Sequence, residues 1–140
     1  MQARISVLTL GVENLERSVR FYRDGLGLAT DGIVGTEFEN GAVAFFDLNI
    51  GLKLALWPTK SIAADTGLQF QDGYMRSTIG HNVLSKNEVD VVLEDARQAG
   101  AYIIKPAAET FYGGYAAYFA DPDGHLWEIV FNPQMLPSSQ

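Results

Sequence analysis

The sequence predicts an α+β protein built from two tandem βαβββ modules, whose mixed sheets bury one face under helices and curve with the other around a shared cleft. Three observations carry that reading. The order strand, helix, three strands occurs twice along the chain. The two copies match at an offset of 74 residues: Leu15 falls on Val89, Val19 on Leu93, and Asp47-Leu48-Asn49-Ile50-Gly51-Leu52 lies over Asp121-Pro122-Asp123-Gly124-His125-Leu126. Finally, 140 residues with 47% hydrophobic and 19% charged side chains suit one globular domain, with module 1 at about 4–58, a linker at about 59–78 and module 2 at about 79–133.

Each element has its own signal. Arg4 to Leu10 alternates with apolar residues on nearly both faces, which predicts a strand inside a sheet. Asn14 is then an N-cap, and Leu15, Val19, Tyr22 and Leu26 form one helical stripe that stops at Gly25-Leu26-Gly27. Strands follow around Ile33-Val34, from Ala42 to Leu48 and from Leu52 to Trp57, with Pro58 ending the last. Between Thr59 and Ser77 the pattern weakens, hence the linker. A strand at Ile79 to Leu84 and a helix from about Glu88 to Gln98 come next, the helix carrying Val89, Val92, Leu93 and Ala96 inward and ending at Gly100. Strands at Tyr102 to Lys105, Tyr115 to Ala120 and Leu126 to Phe131 complete the set, the last two joined by the turn Asp121-Pro122-Asp123-Gly124.

Composition excludes several functions. Seventeen acidic against ten basic residues give a net charge of −7, the wrong sign for phosphate contact, so no nucleic-acid partner is expected. The longest apolar run, Ala42 to Phe46, is far short of the roughly 18 residues of a spanning helix, and the amino terminus has no export pattern, so no membrane partner is expected and the chain reads as cytoplasmic. With no cysteine, thiolate zinc sites and cysteine nucleophiles are absent. No Gly-rich phosphate loop, serine nucleophile elbow or His-x-x-x-His pair occurs.

Several segments, in order, resemble the vicinal oxygen chelate superfamily, which includes glyoxalase I, extradiol dioxygenases, fosfomycin-resistance enzymes and bleomycin-resistance proteins. In the first module they are Leu10-Gly11-Val12-Glu13-Asn14-Leu15-Glu16-Arg17-Ser18, Phe21-Tyr22 and Gly25-Leu26-Gly27-Leu28. In the second they are Gly80-His81-Asn82-Val83, Gly113-Gly114-Tyr115 and Tyr118-Phe119-Ala120-Asp121-Pro122-Asp123-Gly124-His125-Leu126-Trp127-Glu128. The resemblance spans nearly the whole chain. It implies that metal-using members draw two ligands from each module, one on the first strand and one on the last. The second module offers His81 and Glu128 at those places. Moving back 74 residues gives Val7 and Leu54, neither of which binds a metal.

That asymmetry shapes the candidate site. His81 and Glu128 are the expected catalytic or metal-binding pair, since imidazole and carboxylate suit Zn, Ni, Mn or Fe. Two protein ligands are one fewer than a tight catalytic site uses, and the only other histidine, His125, falls in what reads as a surface turn. Without a metal, the same pair is a polar anchor or an acid/base couple. Trp57, Tyr115 and Arg76 are the expected substrate-binding residues, two aromatics on strands and one cation in the linker. Two classes of function follow. One is a bleomycin-resistance-like protein that binds a small organic molecule in the cleft with no cofactor, as a homodimer, its acidic surface favouring cationic or neutral ligands. The other is a glyoxalase-like lyase or isomerase, or a dioxygenase, holding a divalent metal at His81 and Glu128.

Overall fold

The structure, a computed structural model, describes residues 1–73 and 77–137 and divides into two compact units, Met1–Asp72 and Gly73–Gln140. In unit 1, β1 (Val7–Val12) leads into α1 (Leu15–Val19), which continues as a π-helical turn over Arg20–Gly25. Then come β2 (Thr30–Val34), β3 (Val43–Asp47), β4 (Lys53–Pro58) and α2 (Thr59–Thr66). The sheet order is β1-β4-β3-β2, with β1 and β4 parallel and the other pairs antiparallel.

Alternation along the strands decides what this sheet buries. Leu10 and Val12 on β1, Leu54 and Leu56 on β4 and Ala44 and Phe46 on β3 share the face covered by α1, and all are buried. Burying each of the larger of these side chains stabilises the unit by roughly 1.5–3 kcal/mol. Asn14 caps α1 as expected, its side-chain oxygen accepting from the Arg17 N–H at 3.0 Å. The predicted stripe of Leu15, Val19 and Tyr22 is buried, but Phe21 is buried beside Tyr22, the rings meeting edge to face at 4.9 Å. The π turn explains this: the Leu26 N–H reaches back five residues to the Phe21 carbonyl at 3.0 Å, widening the coil so that two consecutive aromatics turn inward.

Two expectations are corrected here. The segment expected as a linker from 59 contains α2, which follows Pro58 directly and stops at Gly67, whose φ of 76° suits glycine. Strand β1 starts at Val7 rather than Arg4.

In unit 2, β5 (Thr78–Val83) leads into α3 (Lys86–Ala99), followed by β6 (Tyr102–Glu109), β7 (Tyr115–Ala120) and β8 (Leu126–Phe131). The order β5-β8-β7-β6, with β5 and β8 parallel, repeats that of unit 1. Helix α3 begins two residues earlier than expected: Ser85 accepts from the Glu88 N–H at 3.2 Å, and the Glu88 carboxylate accepts from the Leu84 N–H at 2.6 Å. It buries Val89 and Ala96 against the sheet, while Val92 and Leu93 are only half-buried. Strand β6 runs past Lys105 and through Pro106, which an edge strand with irregular register tolerates. Its ladder slips twice, between Ile103 and Lys105 and between Lys105 and Ala108.

The repeat is genuine in its order of elements, but its offset is not constant. Val12 and Val83 each stand two residues before a helix N-cap, Asn14 and Ser85, a spacing of 83 − 12 = 71. Val12 pairs with Pro58 and Val83 with Phe131, so the last strands correspond at 131 − 58 = 73.

Candidate functional site

Residues paired across adjacent strands share a face, and neighbours along a strand point to opposite faces. This rule separates the two residues expected to act together. His81 pairs with Ile129, which pairs with Ala117, and both of those are buried on the side that packs against α3. Glu128 pairs with Gly80 and Tyr118 on the opposite, open face. The structure therefore does not bring His81 and Glu128 together.

Each has a definite environment. His81 keeps solvent contact but lines a cavity of about 410 Å³ with Leu84, Glu88, Val91, Val92 and Pro137. Loss of water there holds its pKa below the ordinary value of 6.5, with the Glu88 carboxylate opposing the shift. Glu128 is half-buried and accepts a hydrogen bond from the Tyr118 hydroxyl at 2.8 Å. That bond and, after it, burial raise the Tyr118 pKa, so the phenol keeps its proton and remains a donor to an acceptor-only carboxylate.

Register also corrects the comparison between the units. Glu128 and its partners Gly80 and Tyr118 correspond to Ala55, Thr9 and Phe45 in unit 1, because Thr9 pairs with Ala55 and Ala55 with Phe45. The counterpart of Glu128 is thus Ala55 and not Leu54, which is fully buried on the helix side. The counterpart of His81 is Leu10, and that of Val7 is Thr78. Neither Leu10 nor Ala55 carries a metal-binding atom.

The three residues expected to bind substrate scatter. Trp57 lies on the open face of unit 1, where its indole N–H donates to the Asn40 carbonyl at 2.9 Å. Tyr115 lies on the helix side of unit 2 and donates to the Asp90 carboxylate of α3 at 2.9 Å, which raises its pKa. Arg76 lies outside the described residues. His125, expected in a surface turn, is 6% exposed. Its backbone N–H donates to the buried Asp121 carboxylate at 2.9 Å, so the turn chemistry holds while the surface position does not.

Two residues escaped sequence reasoning. Tyr118 could have been found from the hairpin, since it and Glu128 stand five residues either side of Asp123, the middle of the turn. Asn40 carries no comparable signal: with φ at 56° it turns its carbonyl to Trp57 and accepts from the Ser61 hydroxyl at 3.3 Å through its side chain. It borders a depression of about 640 Å³ in unit 1, whose wall mixes Glu13, Glu16, Arg17 and Lys60.

Comparison with known proteins decides the family. The model of the Glyoxalase/Bleomycin resistance protein/Dioxygenase superfamily matches residues 4–129. The chain belongs to that superfamily. Among curated proteins, this superfamily member is similar to metallothiol transferase FosB of Lysinibacillus sphaericus (strain C3-41), at 29% identity over 89% of this chain and 79% of that protein. Among solved structures it is similar to a glyoxalase-related enzyme from Fulvimarina pelagi, with 37% identity, a TM-score of 0.81 and coverage of 94% of this chain and 89% of that one. A glyoxalase/bleomycin resistance protein/dioxygenase from Nocardioides follows with 26% identity, a TM-score of 0.75 and coverage of 100% and 91%.

The superfamily implies a metal in its metal-using members, and the residues of this chain do not fit one. Among the described residues, the only carboxylate or imidazole at a strand position on the open face of unit 2 is Glu128, beside Thr78, Gly80, Asn82 and Tyr118. In unit 1 the corresponding positions are Val7, Thr9, Ala55 and Phe45, and the carboxylate of Asp47 on the same face is ion-paired with Lys53. Among the described residues no group of three or more His, Cys, Asp or Glu side chains is placed to hold a metal ion. Nor is any described helix long and apolar enough to cross a membrane.

Proposed function

We propose that the chain binds a small organic molecule on the open face of unit 2, with Glu128 as the polar anchor and no resident catalytic metal. The observation that carries this reading is the state of Glu128. Tyr118 satisfies one of its oxygens, and the other has no hydrogen-bond or ion-pair partner among the described residues. That oxygen is open to solvent, so a ligand's donor can take the place of water there. Thr78 stands on the same face beside Asn82, whose amide donates to the Met135 carbonyl at 3.1 Å, and half-buried Leu126 adds apolar surface there, while Ala116, Ala120 and Val130 are buried. Binding rather than catalysis is supported by the separation of His81 from Glu128, which removes the expected acid/base couple. A homodimer belongs to the same reading on the strength of the family resemblance, and a cytoplasmic setting on the composition of the sequence.

The test is a fragment screen by amide chemical-shift mapping on the chelator-treated, isotope-labelled chain. Cationic and neutral fragments are expected to shift amides of β5, β7 and β8, and Glu128→Gln is expected to abolish those shifts. Hits that map only to other surfaces, or that survive Glu128→Gln unchanged, would overturn the reading. The metal-dependent alternative, which the name of the FosB relative favours, requires stoichiometric divalent-ion binding that Glu128→Gln removes.

A further inference from the structure

The proposal here rests on the reading that a small molecule binds at Glu128, and it names the chemistry of that molecule. A single row of residues crosses the open face of unit 2: Lys105 on β6, Tyr118 on β7, Glu128 on β8 and Gly80 on β5. Strand spacing of about 4.8 Å puts the Lys105 and Glu128 backbones roughly 10 Å apart along that row. At one end is the carboxylate oxygen of Glu128 that Tyr118 leaves unmet. Beside it, Gly80 leaves open space, since a β-carbon there would meet nothing nearer than the Asn82 Oδ1 at 3.9 Å.

At the other end, Lys105 has neither a hydrogen bond nor an ion pair among the described residues. Four other cations of this protein are matched, Lys53 by Asp47, Lys86 by Glu109, Arg97 by Glu94 and Arg23 by Asp24, so Lys105 is one of several cations left to solvent, set apart by its place in this row. Lys105 is also the residue between the two slips of the β6 ladder, and such bulges re-aim a side chain at the cost of regular pairing. The row thus offers a free cation and a half-satisfied anion with a phenol between them, on a protein whose net charge of −7 repels a simple anion.

We propose that the ligand is a small zwitterion, an ammonium group accepted by Glu128 and a carboxylate or similar anion gripped by Lys105. Tyr118 holds the Glu128 carboxylate in place, and Lys105 selects zwitterions over plain amines.

Three probes of equal chain length separate the terms: ε-aminocaproate with both groups, hexylamine with the ammonium alone and caproate with the anion alone. Affinities are measured by amide shift titration on the full chain, on Lys105→Met and on Glu128→Gln. The expected result is that ε-aminocaproate binds at least about tenfold tighter than either single-ended probe. Lys105→Met is expected to reduce it to the level of hexylamine while leaving hexylamine unchanged. Equal binding of ε-aminocaproate and hexylamine, or no effect of Lys105→Met, would overturn the proposal and mark Lys105 as a charge guarding an edge strand. If hexylamine binding is lost in Glu128→Gln while Lys105→Met is silent, the Glu128 anchor stands and only the zwitterion falls. If none of the three probes shifts an open-face amide, the zwitterion is wrong, and the anchor is judged by the fragment screen alone.

Discussion

Replacing Asp121 with Ala tests how the β7–β8 turn sets the row that carries the site. Asp121 is fully buried, and one of its carboxylate oxygens accepts from the N–H groups of Asp123 and His125, each at 2.9 Å. Its backbone also closes the turn, donating to the His125 carbonyl at 2.9 Å and accepting from Gly124 at 3.0 Å. The substitution deletes two bonds to a charged acceptor, each worth roughly 1.5–3 kcal/mol, and strands the N–H of a buried His125. Water can replace the bond at the half-buried Asp123, so the expected loss is about 3 kcal/mol rather than the full sum. Urea unfolding at constant slope measures it, and the phenolate titration of Tyr118 reports whether the register survives. A loss below about 0.5 kcal/mol with Tyr118 unchanged would refute the claim that this carboxylate fixes the turn.

Three further outcomes follow from the same geometry. The folded-state pKa of His81 lies below its unfolded value of 6.5, so the unfolded chain takes up a proton first as pH falls. Stability should therefore drop as pH falls through that value toward the folded pKa, and His81→Gln should flatten the drop; an unchanged slope in thermal unfolding against pH would contradict the assignment. Glu128→Gln weakens the hydrogen bond that chiefly raises the Tyr118 pKa and removes the carboxylate charge, leaving burial to act alone, so the phenol should ionise at lower pH than in the wild type, read by ultraviolet absorbance. Gly114→Ala should destabilise unit 2 by about 2 kcal/mol or more in urea, because its β-carbon would overlap the Phe131 carbonyl oxygen and crowd the Tyr112 ring; near-neutral behaviour would mean that the start of β7 yields freely.

What the sequence disclosed and what it hid have separate physical causes. Asn14 and the Asp121 to Gly124 turn act through chemistry within a few residues, so they were readable in place. The duplication was readable too, but one offset cannot describe it. The π turn after α1 and the longer α3 occupy different lengths of chain, and β6 adds bulges, so correspondence drifts from 71 to 73 between the first and last strands. An error of an odd number of residues exchanges faces in a strand: one residue put Leu54 in place of Ala55, and three put His81 in place of Thr78, which is how His81 and Glu128 came to be read as a pair. Helix α2 lacked a strong apolar stripe, although Pro58 at its start and Gly67 at its end were usable signals.

The most direct test of a metal-free site at Glu128 is calorimetric titration of the tag-free, chelator-treated chain with Zn, Ni, Mn and anaerobic Fe(II), repeated on Glu128→Gln and His81→Ala. The donor set described here predicts no stoichiometric binding for any of the four and no difference between the variants. One-to-one binding that Glu128→Gln abolishes would contradict it and return the chain to the metal-using branch of its superfamily.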